Sequence, residues 1–584
     1  NMDVNRINWV RYIRDIHLPG LRRNVLRDGD ERDEFFRDGP KEAGLEEERW
    51  KEEGQLQTIS DLLHWSCARY GNAVALQMNR GESWERITYS ELLIQAQSQA
   101  AKLLKHGLKP GDRVLLYAAN SPNWVTSYMA STISGLCVVP IDPQTREDEV
   151  WNLAAFTDAK ALLTSRSNFA TLSSERSSAT QLELLFDLDN CGEPFLAPGS
   201  TSSFRSMSSE CVLPQIVADM EASIIFTSGM AVEPRGVTLT HDNFISDLLA
   251  LAEVQRVDKG DQVLSLLPLH HGLEFTGSLL MSLLSGATIT YPETLNSRSI
   301  LETMRATGTT TLVGVPRLLK IILDRIQRFA SNELEEGDTI SECNASLIRN
   351  LRFVFSGGAP LANDVFEAYK QMGITVYEGY GLTETAPIVT VNPPKGAKSG
   401  SVGLGLPGIE LRIQEPDTRG CGEILVRGSN VMTGYLKRPE LTAQVFRNGW
   451  LYTGDIGYLD DDGYLFITGR NKDLIVTGAG KNVYPQELEQ LYRPLPHVAE
   501  LGVFGVRSAI TLNEEVHGVA VLNVVEDKDG SVTSEVKEAA HKIARNLPTY
   551  QRIQRLHIRH APLPRTVEGE IDRPEVMAEL QHEL

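Results

Sequence analysis

Short apolar runs alternate with helix-like segments through most of this chain, starting near Leu56. Residues 87–108 show the apolar spacing of a helix, and uninterrupted apolar runs follow at 113–120 and 136–142. Strands that are apolar along their whole length are typical of a sheet covered by helices on both faces. Because the alternation continues to about residue 470, the sequence predicts a large α/β domain over residues 57–470.

The two ends of the chain have a different character. Residues 1–56 are dense in Arg, Asp and Glu with isolated aromatic residues. We expect this charged N-terminal extension to be either a solvated appendage packed partly on the body or a docking segment for another protein or carrier. Shorter strand-like and helix-like runs after Arg470 predict a smaller α+β domain over residues 471–584.

The net charge and the cysteine content argue against several classes of protein. The formal net charge of -20, from 57 basic and 77 acidic residues, repels phosphate backbones, so we expect no nucleic-acid partner. Six cysteines without a CxxC pair argue against a zinc site and a secreted disulfide framework. The chain contains no run of about 18 apolar residues, and its first residues lack a signal-peptide pattern. We therefore expect a cytoplasmic protein without membrane insertion.

Two short motifs match known sites only superficially. The run 403–408 reads G-x-G-x-x-G, but Pro407 and the strand-like run 409–413 leave no helix to hold a pyrophosphate. His270 and His271 are adjacent, but no third metal ligand follows at a suitable spacing. Neither a G-x-S-x-G elbow nor a Walker phosphate loop is present.

Seven ordered segments together resemble the adenylate-forming, or AMP-binding, superfamily of acyl-CoA synthetases, luciferases and peptide-synthetase adenylation domains. The segments are 224–243, 267–274, 355–361, 377–387, 400–413, 434–489 and 562–573. The resemblance covers nearly the whole chain from about 57 to 575. It implies a large N-terminal domain of layered α/β sheets with a small β-subdomain, followed by a small, mobile α+β C-terminal domain.

The resemblance also implies a two-step reaction. The family activates a carboxylic acid with Mg-ATP as an acyl-adenylate and releases pyrophosphate. Its C-terminal domain then rotates so that a thiol attacks, either of coenzyme A or of the phosphopantetheine on an acyl carrier protein. The expected small-molecule partner is therefore a small carboxylic acid or an acyl thioester, with an aliphatic or aryl acid favoured over an amino acid.

Residues implied to bind the nucleotide and the metal follow from the matching motifs. The YGLTE motif would place Tyr380 and Gly381 at the adenine, Thr383 near the α-phosphate, and Glu384 on magnesium; a ring, a hydroxyl and a carboxylate suit these tasks. The carboxylate of Asp455 would accept hydrogen bonds from both ribose hydroxyls, assisted by Arg470. Taken singly, each motif could instead be a helix cap or a turn.

The acid and thiol sites are implied in the same way. Gly357, Gly358 and Ala359 would let the backbone approach the adenine and the acyl group, although a tight turn would look the same. His271 lies where the family often has a histidine near the carboxylate, with a buried core histidine as the alternative. The hinge and the thiol-facing loop would include Lys472 and Lys481.

Two departures from the family pattern concern the adenylation step. The phosphate-binding loop usually reads close to TSGTTGxPKG; here Thr227, Ser228, Gly229 and Arg235 flank Met, Ala, Val and Glu at 230–233. Apolar, stiffer residues beside a carboxylate are a poor cradle for a triphosphate. The second departure is Glu570, which occupies the position of the family's C-terminal catalytic lysine.

Three functions therefore remain open at this point. The chain is an acyl-CoA synthetase-like ligase with an unusual loop, or a relative that acts on a preactivated acyl thioester by transfer, condensation or release, or a non-catalytic scaffold that binds a nucleotide or partner. Under the second alternative His271 becomes the candidate general base, because a histidine titrates near neutral pH.

Overall fold

The structure is a computed structural model that describes most of the chain after residue 55. The described residues are 56–81, 83–172, 182, 184–190, 193–194, 212–227, 235–255, 257–330, 350–470, 473, 475–476, 482–507, 514–523, 527, 530–566 and 571–583. The predicted extension over 1–56 lies outside them except for its last residue.

The described residues form 27 strands and 15 α-helices, with one π-helix at Phe275–Leu280. The strands are β1 Val74–Asn79, β2 Trp84–Thr88, β3 Arg113–Tyr117, β4 Cys137–Ile141, β5 Ala161–Thr164, β6 Leu184–Asp187, β7 Glu193–Pro194, β8 Glu221–Phe226, β9 Gly236–Thr240, β10 Gln262–Leu264, β11 Thr288–Tyr291, β12 Thr311–Gly314, β13 Phe353–Ser356, β14 Thr375–Gly381, β15 Ile388–Val391, β16 Leu404–Gly405, β17 Glu410–Gln414, β18 Gly422–Arg427, β19 Gly434–Tyr435, β20 Phe446–Arg447, β21 Trp450–Leu459, β22 Leu465–Arg470, β23 Ile475–Val476, β24 Asn482–Val483, β25 Val498–Arg507, β26 Glu514–Leu522 and β27 Arg555–Arg559. The helices are α1 Ile59–Tyr70, α2 Tyr89–Lys105, α3 Pro122–Ile133, α4 Glu147–Thr157, α5 Arg166–Phe169, α6 His241–Val254, α7 Gly272–Glu274, α8 Met281–Ser285, α9 Ser297–Thr307, α10 Pro316–Ala330, α11 Asn363–Gln371, α12 Pro439–Val445, α13 Pro485–Leu491, α14 Ser531–Arg545 and α15 Arg573–Glu583.

Two large sheets form the body of the protein. One has the order β19-β9-β8-β4-β3-β5-β6-β7, and the other has the order β16-β15-β14-β13-β12-β10-β11-β1-β2. Their central strands are parallel. In β3 the side chain of Leu115 enters one core cluster and those of Val114 and Leu116 enter another. Burial on both faces explains why these strands are apolar along their whole length.

Helices fill the space between the two sheets and cover their outer faces. Residues of α1, α2, α3 and α6 share a single apolar cluster with Val138 of one sheet and Ile289 of the other. The outer face of one sheet packs against α9, α10 and α11, and the outer face of the other packs against α4. The body is thus layered α/β/α/β/α, and the α/β fold class predicted from the sequence is confirmed.

Local capping signals set where these helices begin. Thr88 accepts a hydrogen bond from the Glu91 amide, and the Glu91 carboxylate accepts one from the Thr88 amide, so α2 begins with a capping box. Thr240 and Asn243 make the same reciprocal pair at the start of α6, directly after β9. Both caps stand at a strand-to-helix boundary, which fixes where the chain leaves the sheet.

Smaller sheets follow along the chain. Strands β17, β18, β21, β20 and β22 form a five-stranded antiparallel sheet. The glycine-rich run 403–408 leads into β17, so no helix N-terminus follows it, as its sequence indicated. Beyond β22, strands β25, β26 and β27 form a three-stranded sheet with its own apolar core around Val503 and Val536. Among the described residues, no helix is both long and apolar enough to cross a membrane.

Candidate functional site

Three of the predicted nucleotide-binding residues, carried by three different strands, contact one another. Tyr380 lies near the end of β14, and its hydroxyl donates a 2.7 Å hydrogen bond to Oδ2 of Asp455. Asp455 and Arg470 are directly opposed in the antiparallel pair β21–β22, and Nε of Arg470 lies 3.3 Å from Oδ1 of Asp455. The structure therefore brings together a phenol, a carboxylate and a guanidinium that are distant in sequence.

Burial gives this cluster its electrostatic character. Asp455 is only 5% exposed, while its two neighbours are half-buried. Burial, followed by the charge of Asp455, raises the pKa of Tyr380 well above its ordinary value. The phenol therefore keeps its proton and remains a hydrogen-bond donor near neutral pH. A buried carboxylate held by one neutral donor and one cation can accept further hydroxyl donors.

The turn after β14 carries the next two predicted residues. Gly381 is required by close packing, because a Cβ added there would collide with the carbonyl oxygen of Pro387. Thr383 and Glu384 follow in a short 3₁₀ turn, both half-buried. Oε1 of Glu384 accepts a 2.7 Å hydrogen bond from the hydroxyl of Tyr435. Tyr435 therefore orients the carboxylate that the sequence assigns to magnesium.

The buried side chains of Asn430 and Asp247 hold this turn in place. Nδ2 of Asn430 donates to the carbonyl oxygens of Thr385 at 2.8 Å and Ile388 at 3.0 Å. It also lies 3.4 Å from Oδ1 of Asp247, whose Oδ2 accepts from the Ile388 amide. Burial raises the pKa of Asp247 well above its ordinary value. Side chains from α6 and from the segment before β19 thus fix both ends of the 385–388 segment.

The predicted glycine run follows β13 and faces the helical segment after His271. Gly357 is buried, and a Cβ built on it would lie 3.0 Å from Cδ2 of Leu273. Gly358 has a φ of +80°, which favours glycine, and Ala359 is half-buried. The close approach of two backbone segments and the left-handed turn both account for glycines here. The turn predicted as an alternative is therefore present, and it is compatible with a binding role.

The two adjacent histidines lie at the beginning of α7. His271 is half-buried and precedes Gly272, and its ring centroid lies 4.3 Å from that of His270. Nε2 of His270 is 4.0 Å from Oδ2 of Asp142. Burial, followed by the charge of His271, lowers the pKa of His270 to about 3. His270 is therefore neutral at physiological pH. Among the described residues, no group of three or more His, Cys, Asp or Glu side chains could hold a metal ion.

The two edges of the predicted phosphate loop are described. Strands β8 and β9 pair up to Phe226 and Gly236, and the Thr227 amide donates a 3.2 Å hydrogen bond to the carbonyl oxygen of Arg235. Burial and Glu384 raise the pKa of Tyr435, and the positive charge of Arg235 partly opposes that rise. Arg235 therefore lies within electrostatic reach of the Tyr435–Glu384 pair. Ser228 and Gly229 lie outside the described residues.

Three other predicted residues, Lys472, Lys481 and Glu570, also lie outside the described residues. Two arginines near Glu570 are described, and both are engaged in the small domain. Nη2 of Arg565 is 3.0 Å from the Glu500 carboxylate. Arg573 contacts Glu489 at 2.8 Å and Asp473 at 3.4 Å. Both guanidinium groups are therefore paired with carboxylates of the same domain.

Sequence reasoning missed Tyr435, Asn430 and Asp247, the three side chains that orient the turn carrying Glu384. Tyr435 lies at the start of the matching segment 434–489, but no role was assigned to it there. It reaches the turn because β19 pairs antiparallel with β9 at the edge of a sheet. Asn430 and Asp247 are single polar residues in otherwise ordinary segments. These residues could have been recognised from their burial, but the sequence does not predict burial at these positions.

Comparison with known proteins identifies similar chains. A model of the AMP-binding enzyme family matches residues 63–436. The 4-coumarate-CoA ligase 2 of Narcissus pseudonarcissus is 30% identical over 500 residues, covering 81% of this chain and 83% of that protein. The long-chain-fatty-acid–CoA ligase FadD15 of Mycobacterium bovis is 28% identical over 478 residues, covering 74% and 78%. The structure of O-succinylbenzoate coenzyme A synthetase (MenE) from Bacillus subtilis with ATP and magnesium ion aligns with a TM-score of 0.69 at 25% identity, covering 88% and 98%.

Proposed function

Because the chain belongs to the AMP-binding enzyme family, we propose that it is an ATP-dependent acid–thiol ligase that joins a small carboxylic acid to a thiol. The cluster of Tyr380, Asp455 and Arg470 is the observation that carries this proposal. Asp455 would accept the two ribose hydroxyls while Tyr380 packs against the adenine. A buried carboxylate held open by two donors is suited to a vicinal diol.

The proposed reaction has two balanced steps. An oxygen of the substrate carboxylate attacks the α-phosphorus of ATP, the bond between that phosphorus and the bridging oxygen breaks, and pyrophosphate leaves. A thiolate then attacks the acyl carbon, and AMP leaves with the electron pair of the broken C–O bond. The thiol of coenzyme A or of a phosphopantetheine carrier would supply the nucleophile.

The described residues fit a magnesium nucleotide. Glu384 would hold the ion through one hard carboxylate oxygen, with Tyr435 fixing the other, and the ion would neutralise phosphate charge. Thr383 would donate to the α-phosphate from the same turn. Thr227 and Arg235 stand at the edges of the loop that, with Ser228 and Gly229, would face the remaining phosphates.

The acid would lie beside the two backbone segments that meet at Gly357 and Leu273. Gly358 and Ala359 would line its adenine side, and His271 would lie near the carboxylate. Lys472 at the hinge and Lys481 on the thiol-facing loop complete the proposed set, together with Glu570. These assignments rest on the matching motifs and on the positions of the described neighbours.

The domain boundaries belong to the same proposal. We place the hinge after Arg470, which ends β22 and contributes to the nucleotide cluster. Most buried apolar residues after it pack in separate clusters around Val503 and Phe504, whereas Tyr484 packs with Cys421 and Ile456 of the preceding domain. A domain of 471–584 with its own core could turn as a unit against the domain of 57–470.

The test is pyrophosphate exchange with Mg-ATP across a panel of fatty, aryl, dicarboxylic and amino acids, followed by detection of the CoA thioester. We expect exchange with at least one acid. Asp455→Ala should lower kcat/KM by about a hundredfold, because it removes the acceptor of both ribose hydroxyls. The exposed Asp461→Ala, in the turn of the same hairpin, is the matched control. A folded protein that is silent with the whole panel contradicts the proposal and directs attention to acyl thioesters as substrates.

A further inference from the structure

The residues around Asp455 form a bulge in strand β21. In the pairing of β18 with β21, two steps along β18 correspond to four steps along β21, between Tyr452 and Ile456. Residues 453–455 are therefore opposed by Ile424 alone. A bulge interrupts the strand ladder and turns a side chain in a new direction, and bulges are over-represented beside active sites. We call residues 453–455 the Asp455 bulge.

Two side chains hold the backbone of the Asp455 bulge. Oε1 of Glu423 accepts a 3.1 Å hydrogen bond from the Gly454 amide. Oγ1 of Thr453 accepts a 3.1 Å hydrogen bond from the Asp455 amide and donates one of 2.8 Å to the carbonyl oxygen of Ile424. Backbone groups that the bulge displaces from the strand ladder are thus bonded by one side chain from each strand.

The conformation of Gly454 makes the Asp455 bulge depend on Glu423. Gly454 has a φ of +75°, in the left-handed region that favours glycine, and a Cβ built on it would have nothing within 4 Å. The glycine is therefore required by backbone conformation and not by close packing. Because glycine is the most flexible residue, the hydrogen bond to Glu423 restricts the residue directly before Asp455.

The Asp455 bulge directs the carboxylate at partners on two other strands. Oδ2 of Asp455 accepts from the Tyr380 hydroxyl at 2.7 Å, and Oδ1 lies 3.3 Å from Nε of Arg470. Burial and the charge of Asp455 raise the pKa of Tyr380, and a hydrogen bond with the Thr453 side chain partly opposes that rise. Thr453 therefore contacts both the backbone of Asp455 and the phenol that binds its carboxylate.

A carboxylate accepts several hydrogen bonds only when its oxygens are aimed at the donors, because a hydrogen bond weakens steeply as its angle departs from linear. We propose that Glu423 and Thr453 are positioning residues that aim Asp455 at the ribose, so that the site selects a ribonucleotide over its deoxy analogues. Both residues act through the backbone of Asp455 and not by contact with the nucleotide. This inference rests on the proposed function, because it concerns the same nucleotide site.

The preference for ribose distinguishes positioning from a merely structural role. The analogues 2′-deoxy-AMP and 3′-deoxy-AMP each lack one of the two hydroxyls that Asp455 would accept, so the ratio of AMP affinity to analogue affinity reports the aim of the carboxylate. Lower stability changes the amount of folded protein and leaves that ratio unchanged. If Tyr380 and Arg470 alone aimed the carboxylate, the loss of Glu423 would therefore leave the ratio unchanged.

Calorimetry of the full chain with AMP and the two deoxy analogues, without acid, tests the proposal. We expect the native protein to bind AMP at least about tenfold more tightly than at least one analogue, because the analogue loses a hydrogen bond to a charged group. Glu423→Leu should lower that ratio at least about threefold, by weakening AMP binding more than analogue binding. Glu423→Gln should keep the ratio, because its amide oxygen still accepts from the Gly454 amide.

Thr453 supplies an independent pair of variants, which carry the test if Glu423→Leu fails to fold. Thr453→Val removes the hydroxyl and should lower the ratio, whereas Thr453→Ser retains the hydroxyl and should keep it. Glu410→Leu is the matched control for Glu423→Leu and should leave the ratio unchanged. Glu410 is exposed and pairs with Arg427, and its strand β17 borders β18 on the side away from β21. Thermal unfolding checks the fold of each variant.

Pyrophosphate exchange provides a second measurement. Glu423→Leu should raise the KM for ATP more than it changes kcat, because the ribose contact is made equally in the bound substrate and in the transition state. In 2′-deoxy-ATP or 3′-deoxy-ATP, whichever the native protein discriminates against, the same substitution should have a smaller effect on KM. An equal effect of Glu423→Leu on KM for ATP and for the analogue contradicts the positioning role.

The outcomes separate the two proposals. A native ratio below about tenfold for both analogues, or no detectable binding of AMP, overturns the positioning role. A ratio that is unchanged in Glu423→Leu, or lowered equally by Glu423→Gln, overturns it for Glu423, and the same criteria apply to Thr453→Val and Thr453→Ser. Exchange without a preference for ribose leaves the ligase standing and removes the positioning role. A preference for AMP that depends on Glu423, without exchange with any acid, supports the positioning role and contradicts the ligase.

Discussion

At the scale of single residues, the carboxylate of Glu384 depends on a partner from another strand. The Tyr435 hydroxyl donates to it at 2.7 Å, and burial with Glu384 raises the pKa of that phenol above its ordinary value. The tyrosine therefore stays protonated and holds one carboxylate oxygen, which leaves the other for the proposed magnesium ion. Fixed ligand orientation of this kind is a common determinant of metal affinity.

We expect Tyr435→Phe to weaken magnesium use while the nucleoside still binds. Loss of a hydrogen bond to a charged group corresponds to about tenfold or more. A magnesium titration of pyrophosphate exchange should show a rise in the magnesium concentration for half-maximal rate of that size, with AMP affinity unchanged. Tyr458→Phe, at a residue whose ring stacks on Phe466, is the control. An unchanged magnesium titration in Tyr435→Phe would remove the positioning role.

At the scale of elements, the apolar runs 113–120 and 136–142 read from the sequence correspond to strands β3 and β4. These strands can be predicted from the local sequence, because each is buried on both faces and is therefore apolar along its length. The order of the strands was not readable, since pairing joins segments such as β1 and β11 that are distant along the chain. The matching motif predicted that Asp455 and Arg470 act together. The contribution of Tyr435 could not be predicted, because it depends on the pairing of β19 with β9.

Asn430 holds the turn after β14, so we expect its replacement to lower the stability of the protein. Asn430→Ala removes the hydrogen bonds to the carbonyl oxygens of Thr385 and Ile388 and leaves these buried groups unpaired. We expect the free energy of unfolding to fall by about 2–4 kcal/mol, measured by urea denaturation. The exposed Asn363→Ala should change it by less than about 1 kcal/mol. Equal effects of the two substitutions would contradict the role of Asn430.

The strand β14 also carries a buried acid that makes stability depend on pH. Burial raises the pKa of Glu378 from 4.5 to about 7, although the Leu361 amide donates to its carboxyl. Between these values the folded protein retains a proton that the unfolded chain releases. The free energy of unfolding therefore falls as pH rises through this window, by up to about 1.4 kcal/mol per pH unit.

Glu378→Gln should remove that contribution and keep the acceptor for the Leu361 amide. In Glu378→Gln we expect the free energy of unfolding to differ less between pH 5 and pH 7 than it does in the native protein. The variant should be more stable than the native protein mainly at pH 7. Urea denaturation at both pH values measures it. Glu302→Gln, on the exposed face of α9, is the control and should leave the difference unchanged.

At the scale of the whole molecule, β22 ends at Arg470, which belongs to the proposed nucleotide-binding cluster and directly precedes the small domain. The proposed adenylation chemistry needs both the cluster and that domain. Tyr380, Asp455 and Arg470 contact one another, and their binding of the nucleoside stays a prediction. The residues that differ from the family pattern are those at 230–232 and Glu570. Arg565 and Arg573 are paired with acids of the small domain. Because Glu570 occupies the position of the family's lysine, the proposed ligase lacks a cation that the family uses in adenylation.

Restoring the family residues should therefore increase adenylation. In the variant M230T/A231T/V232G/E570K, the added hydroxyls, flexible glycine and lysine supply donors to the phosphates, and one preorganised donor is worth about 10²- to 10³-fold in rate. We expect pyrophosphate exchange to rise by at least that factor, with E570K alone giving part of it. E568K, two residues away, is the matched control for added positive charge and should give no comparable gain. Unchanged exchange in the fourfold variant, with AMP binding intact, would show that this chain uses other groups for the phosphate chemistry.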